Sequence, residues 1–150
     1  MYQKILLAFD GSTRGRSALK QGADIAEKMG AETHLLAVMQ LPASSQWSEG
    51  YIPDAFFDDE KKRVESILEV GVDLLKARGL TTTGHLESGN PTDRIVRIAK
   101  QENIDLIIIG HSSKGSLARW WQGSVGGSLV NQSPCSFLIA FSDDEDESPD

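Results

Sequence analysis

"DLIIIGHSSKGSLARWWQGSVGGSLV", residues Asp105 to Val130, carries four large aliphatics, Leu106 to Ile109, that stop at Gly110. A loop rich in serine and glycine follows, and Gly123-Ser124 opens a second apolar segment. The first run reads as a buried strand and the second as a helix. The loop between them is therefore either a cradle for an anion or a long turn.

The same two kinds of segment recur outward from this point. Lys4 to Phe9 ("KILLAF") and Thr33 to Met39 ("THLLAVM") are continuous apolar runs, expected for strands covered on both faces. Ala18, Leu19, Gly22, Ala23, Ala26 and Met29 recur at helical spacing before the stop at Gly30. Leu41 to Ala55, with Pro42, Gly50 and Pro53, reads as a long exposed loop. From about Asp58 to Arg78, Val64, Ile67, Leu68, Gly71, Leu74 and Leu75 form one helical stripe, closed by Gly79. Thr81 to Glu87 is β-rich but polar, as an edge strand would be. In "GNPTDRIVRIAK" Asn90 is placed to cap a helix, with Pro91 first inside it and Asp93 in its first turn. Ser124 to Asn131 is expected to be a helix, stopped by Pro134, and Ser136 to Phe141 a last strand.

Strands alternating with helices predict a parallel sheet with helices on both faces, joined by right-handed crossovers. Ligands of such sheets sit beyond the carboxyl ends of the strands, where the strand order reverses. The residues after Phe9, Met39 and Ile109 converge there, so the opening loop lies where a ligand is expected.

Composition narrows the function classes. The chain has 150 residues, enough for one domain, and its 39% apolar content suits a globule with a full core. No apolar run approaches the roughly 20 residues that span a bilayer, so membrane insertion is not expected. "MYQKILLAFDGS" reads as a strand rather than a signal peptide, and the lone Cys135 fits a reducing, cytoplasmic setting. Of 22 acidic residues, six lie in the tail "SDDEDESPD", leaving 16 acids against 15 bases in the body. The expected organisation is one domain over 1–141 and an acidic, disordered tail over 142–150. Neither part shows the basic face of a nucleic-acid binder.

The loop is not a standard phosphate loop. Gly110 and Gly115 have the P-loop glycine spacing, but Ser116-Leu117 follow and Lys114 comes one residue early. "DGSTRGR" lacks the three close glycines of a dinucleotide turn. The remaining chemistry suits an anion: Gly110 without a Cβ, hydroxyls at Ser112, Ser113, Ser116 and Ser124, the Lys114 charge, and Gly123-Ser124 at a helix N-terminus.

At these residues the chain resembles the universal stress protein (UspA-like) family. After its fourth strand that family carries Gly, two residues, Gly, nine residues, then Gly and Ser or Thr. Gly110, Gly123 and Ser124 match, while the middle glycine falls on Ser113. "KILLAFDGS" resembles the family's first strand and turn, and "GNPTDRIVRIAKQENIDLIIIG" its third helix and fourth strand, so the likeness spans about residues 1–141.

The resemblance implies a Rossmann-like, doubly wound, five-stranded parallel α/β sheet in the order 3-2-1-4-5. It implies a homodimeric, stress-response regulator that binds ATP or AMP, with Mg²⁺ entering only alongside a triphosphate. Ala8, Asp10, Val38, Ile109 and Gly110 would meet adenine and ribose. Ser113, Lys114, Gly123, Ser124 and Val125 would hold the phosphates. Dimerisation would run through Ser136 to Phe141, and nucleotide-dependent loop ordering would be seen by an unidentified protein partner. At position 113 the serine hydroxyl either substitutes for the glycine backbone as a donor or shifts the loop and weakens the triphosphate end. The alternatives are an interaction module without nucleotide and a slow ATPase, although no general base or nucleophile faces the loop.

Other residues carry plainer expectations. Asp10 suits helix capping as well as an adenine amino group, and the two roles are compatible. Trp120-Trp121 fit core or interface packing better than base stacking. Trp47, Tyr51, Phe56 and Phe57 suit local packing or a lid. His34, His85 and His111 are scattered along the chain without a carboxylate or cysteine at ligand spacing, so no metal site is expected. His111 either touches ligand beside Gly110 or has no role, and Cys135 reads as a small core residue.

Overall fold

The computed structural model describes residues 1–17, 19–39, 54–111, 120 and 125–141. Its elements are β1 (Lys4–Phe9), α1 (Thr13–Ser17), α2 (Lys20–Met29), β2 (Glu32–Met39), α3 (Asp54–Ala77), β3 (Thr82–Ser88), α4 (Pro91–Gln101), β4 (Leu106–His111), α5 (Val125–Gln132) and β5 (Ser136–Phe141). The strands form one sheet in the order β3-β2-β1-β4-β5, with every pairing parallel. This is the doubly wound α/β fold expected.

Burial follows strand position. β1, at the centre, is buried from Ile5 to Phe9, and β4 beside it from Leu106 to Gly110. Alternate residues then build two cores. Ile5, Leu7 and Phe9 join Leu35, Ala37, Met39 and Ile108 under α2 and α3. Leu6 and Ala8 join Leu36, Val38, Ile107 and Ile109 under α4 and α5. Continuous aliphatic runs are thus required, because neither face of an inner strand meets water. At the edge, β3 is only partly buried, which accounts for its polar sequence.

The ends of the elements have local causes. The Asn90 side chain accepts from the Asp93 N–H at 3.1 Å, and Pro91 occupies the first turn of α4. Gly30 closes α2 at φ +60°, in the left-handed region that glycine enters without a Cβ clash.

Several expectations need correction. The first helix is divided into α1 and α2, and Met29, expected on its buried stripe, is 40% exposed at the last helical position. α3 begins at Asp54, inside the segment read as loop and four residues before Asp58. Leu74 is 56% exposed rather than buried. Val64, Leu68, Gly71 and Leu75 hold the inward line at helical spacing, and Leu74 falls to one side of it. Trp120 packs wholly within the core under α4 and α5, as expected for packing rather than base stacking. Cys135 is half-buried against that same core, and burial raises its thiol above the ordinary value. Trp47, Tyr51, Trp121 and the tail 142–150 lie outside the described residues.

Candidate functional site

The chain runs outward from β1 through β2 to β3, then returns to add β4 on the other side of β1. The order therefore reverses at β1, and the carboxyl ends of β2, β1 and β4 frame a crevice. Ala8 pairs with Ile109 across β1 and β4, and Phe9 pairs with Ala37 across β1 and β2. β2 continues through Val38 to Met39, past the last rung it shares with β1. Ala8, Asp10, Val38, Ile109 and Gly110 are thereby gathered at one end of three adjacent strands. The side chains of Ala8, Val38 and Ile109 are fully buried in the core beneath, so only their backbone could face a ligand at this end.

Asp10 is the polar group of this crevice. Its Oδ1 accepts from the Ser12 N–H at 3.1 Å and the Ser12 hydroxyl at 2.6 Å. The Ser12 Oγ in turn accepts from the Gly15 N–H at 2.9 Å, opening α1. Asp10 thus supports the helix through Ser12 rather than capping it directly. Its other oxygen, Oδ2, is buried with no hydrogen-bond partner among the described residues. Leaving a buried acceptor unmet costs about 1–3 kcal/mol, more when it is charged, and a donor arriving in the crevice would recover it.

Two glycines shape the turn. Gly11 sits at φ +84°, and a Cβ there would lie 2.9 Å from a Val64 methyl. A Cβ on Gly15 would lie 2.3 Å from Asp10 Oδ1. Nearby, the carboxylate of Glu60 bonds Arg63 and raises its guanidinium, with a smaller pull from Asp10 in the same direction.

Of the phosphate residues expected, Ser113, Lys114, Gly123 and Ser124 lie outside the described residues. Val125 opens α5 with its side chain buried. His111 ends β4, paired with Phe141.

The structure adds a feature that the sequence reading missed. A cavity of about 570 Å³ lies beside Met39, lined by Phe57, Leu86, Lys61, Arg94 and Arg97 among others. That volume is within the range of small-molecule sites. Arg94 and Arg97 lean on Glu87 at 3.9 and 3.6 Å. Their spacing of three on α4 was the available signal, since such residues share a helix face.

The histidines also depart from expectation. His34 and His85 are not scattered in space: their rings stack with centroids 5.2 Å apart, because the β2–β3 register pairs His34 with Thr83 and Leu36 with His85, which sets the two rings diagonally on one face. Burial, and then the nearby His34, hold His85 below its ordinary value.

Comparisons with known proteins agree with this architecture. The model of the Universal stress protein family matches residues 1–140. Universal stress protein YxiE of Bacillus subtilis is 28% identical over 146 residues, covering 93% of this chain and 99% of that protein. A universal stress protein solved in complex with cAMP superposes with a TM-score of 0.65 at 24% identity, covering 95% of this chain and 98% of its own. The universal stress protein from Archaeoglobus fulgidus solved in complex with dAMP gives 0.61 at 20% identity, covering 92% and 97%. The crevice at the strand-order reversal, the sheet order and a match over nearly the whole folded length lead to one conclusion: the chain belongs to the universal stress protein family.

Proposed function

We propose that this protein binds an adenine nucleotide, ATP or AMP, at the carboxyl ends of β1, β2 and β4, and regulates a protein partner in response. The observation that carries this reading is the buried, partnerless Oδ2 of Asp10. An adenine amino group is a neutral donor of the right kind for it. The backbone of Val38 and Met39, overhanging β1, would flank the base, and Ile109-Gly110 would meet the ribose. Ser113, Lys114, Gly123 and Ser124 would hold the phosphates, with Val125 contributing its backbone. Family membership and the relatives solved with cAMP and dAMP support the choice of nucleotide.

The mechanism is a population shift: nucleotide orders the 110–124 loop and changes a surface seen by the partner, which requires unequal affinity for the two states. β5 is an edge strand ending at the exposed Phe141, and a second copy pairing along it would form the homodimer. The lone cysteine supports the cytoplasmic setting proposed here; among the described residues no helix is long and apolar enough to cross a membrane. Mg²⁺ enters only with a triphosphate. Ser113, where the family pattern has glycine, favours a second reading: an interaction module that has lost nucleotide.

The deciding experiment is mass identification of small molecules released on denaturing the purified protein, beside Ser113→Gly and Gly123→Val. Adenine nucleotide in the wild type, lost in Gly123→Val, is the expected result. If neither the wild type nor Ser113→Gly carries or binds nucleotide, the second reading replaces the first.

A further inference from the structure

Toward the amino ends of the strands, away from the Asp10 crevice, a second polar cluster is built into the α4 side of the sheet. His34 lies on β2 with only 4% of its surface exposed, and His85 on β3 and Glu102 after α4 are half-buried beside it. One ligand-capable atom from each of the three lies within 4.8 Å of the others. His34 Nδ1 and His85 Nε2 are 2.9 Å apart. Two imidazole nitrogens on a tetrahedral Zn²⁺, with bonds of about 2.0–2.1 Å, sit roughly 3.3 Å apart, so only a few tenths of an ångström separate the arrangements.

The surroundings orient the cluster as a metal site requires. His34 Nε2 meets Glu32 Oε2 at 2.9 Å. The Lys4 ammonium lies 3.7 Å from the same Glu32 oxygen, so this carboxylate faces the His34 ring as an acceptor. His34 must then donate from Nε2, which leaves its Nδ1 lone pair facing His85. A carboxylate fixing the far nitrogen of a ligating histidine is the usual second layer of a zinc centre. Lys4 borders the cluster, with its ammonium 3.7 Å from Glu32 Oε2 and donating to the Glu102 carbonyl at 3.2 Å.

We propose that His34 Nδ1, His85 Nε2 and the Glu102 carboxylate bind a divalent transition metal of the Zn²⁺ class, with water in the fourth position. Two imidazoles and one carboxylate suit Zn²⁺, Co²⁺ or Ni²⁺ better than Mg²⁺ or Ca²⁺, which favour all-oxygen sites. In the metal-free form His85 Nε2–H donates to His34 Nδ1; on binding, that proton moves to His85 Nδ1 and the imidazole stays neutral. Half-buried His85 and Glu102 leave an entry path from solvent. The metal would tie the edge strand β3 to β2 and the end of α4, restraining the side of the sheet that has least burial.

The test is calorimetric titration of tag-free, chelator-stripped full-length protein with Zn²⁺, paired with Co²⁺ absorption spectra. One equivalent should bind, with the visible bands of four-coordinate Co²⁺ and a rise in melting temperature. His85→Gln and Glu102→Gln change half-exposed residues, and each should weaken binding by roughly tenfold or more while metal-free circular dichroism is unchanged. His34→Gln is less informative, because that buried ring also serves the core. Absence of stoichiometric Zn²⁺ binding overturns the proposal. So does stoichiometric binding that survives both His85→Gln and Glu102→Gln, because the metal would then be held by other carboxylates.

Discussion

Asp10 combines two demands in one side chain: Oδ1 organises the turn through Ser12, while Oδ2 is buried and unmet. Asp10→Asn separates these roles. The amide oxygen can still accept from Ser12, but the second position becomes an NH₂ that opposes an adenine amino group. We predict nucleotide affinity lower by about 1–3 kcal/mol, roughly tenfold to a hundredfold, with the melting temperature little changed; titration with AMP and ATP checks it. Gly15→Ala acts on the same group from the other side. Its Cβ would meet Oδ1 at 2.3 Å, so the turn must move, and we predict about 1–3 kcal/mol lost from stability in urea unfolding. A variant as stable as the wild type would show that the turn adapts freely.

Among the elements, α4 is capped at its start by the Asn90 side chain. Asn90→Ala leaves the Asp93 N–H without its acceptor, and we predict a loss of about 0.5–2 kcal/mol, read as a lower urea midpoint at unchanged slope. The end of α3 is tied to α2 by Arg78, which donates to Glu27 at 2.6 Å and also bonds Asp24. That bond lowers Asp24 below its ordinary 3.8, so the folded state takes up a proton less readily than the unfolded chain. The contribution is therefore fully present above 3.8 and is lost as pH falls through the lower folded value. The pair is exposed, so its effect is small and screened by salt. Melting temperatures of wild type and Arg78→Ala should differ slightly at neutral pH and low salt and converge under strong acid; a gap that persists in acid would assign Arg78 a packing role instead.

At the scale of the whole molecule, three inner strands, β2, β1 and β4, fill both cores, and β3 and β5 form the edges. β5 is an edge strand of the sheet, and Phe141 is 63% exposed. If a second copy pairs there, Phe141→Asp should shift the protein from dimer to monomer in light scattering behind size exclusion. A mass unchanged from the wild type would place the interface elsewhere or remove it.

The alternation of elements, the bounds of β5, the Asn90 cap and the Gly30 stop were all legible in the sequence. Each depends on periodicity or capping within about one or two turns of chain, and both strand burial and cap chemistry leave local marks. The location of the crevice was legible too, because the end of a doubly wound sheet that takes ligand follows from topology. Only the tertiary structure decided which polar groups meet. Asp10 Oδ2 is left without a donor because Ser12 takes only one carboxylate oxygen. Arg94, Arg97 and Lys61 face one cavity because α3 and α4 flank the ends of β2 and β3. His34, His85 and Glu102 converge because strand register pairs His34 with Thr83 and Leu36 with His85, setting the two histidines diagonally on one face, and α4 ends beside them. Register is set by packing across the sheet, a long-range property that no spacing within one segment encodes.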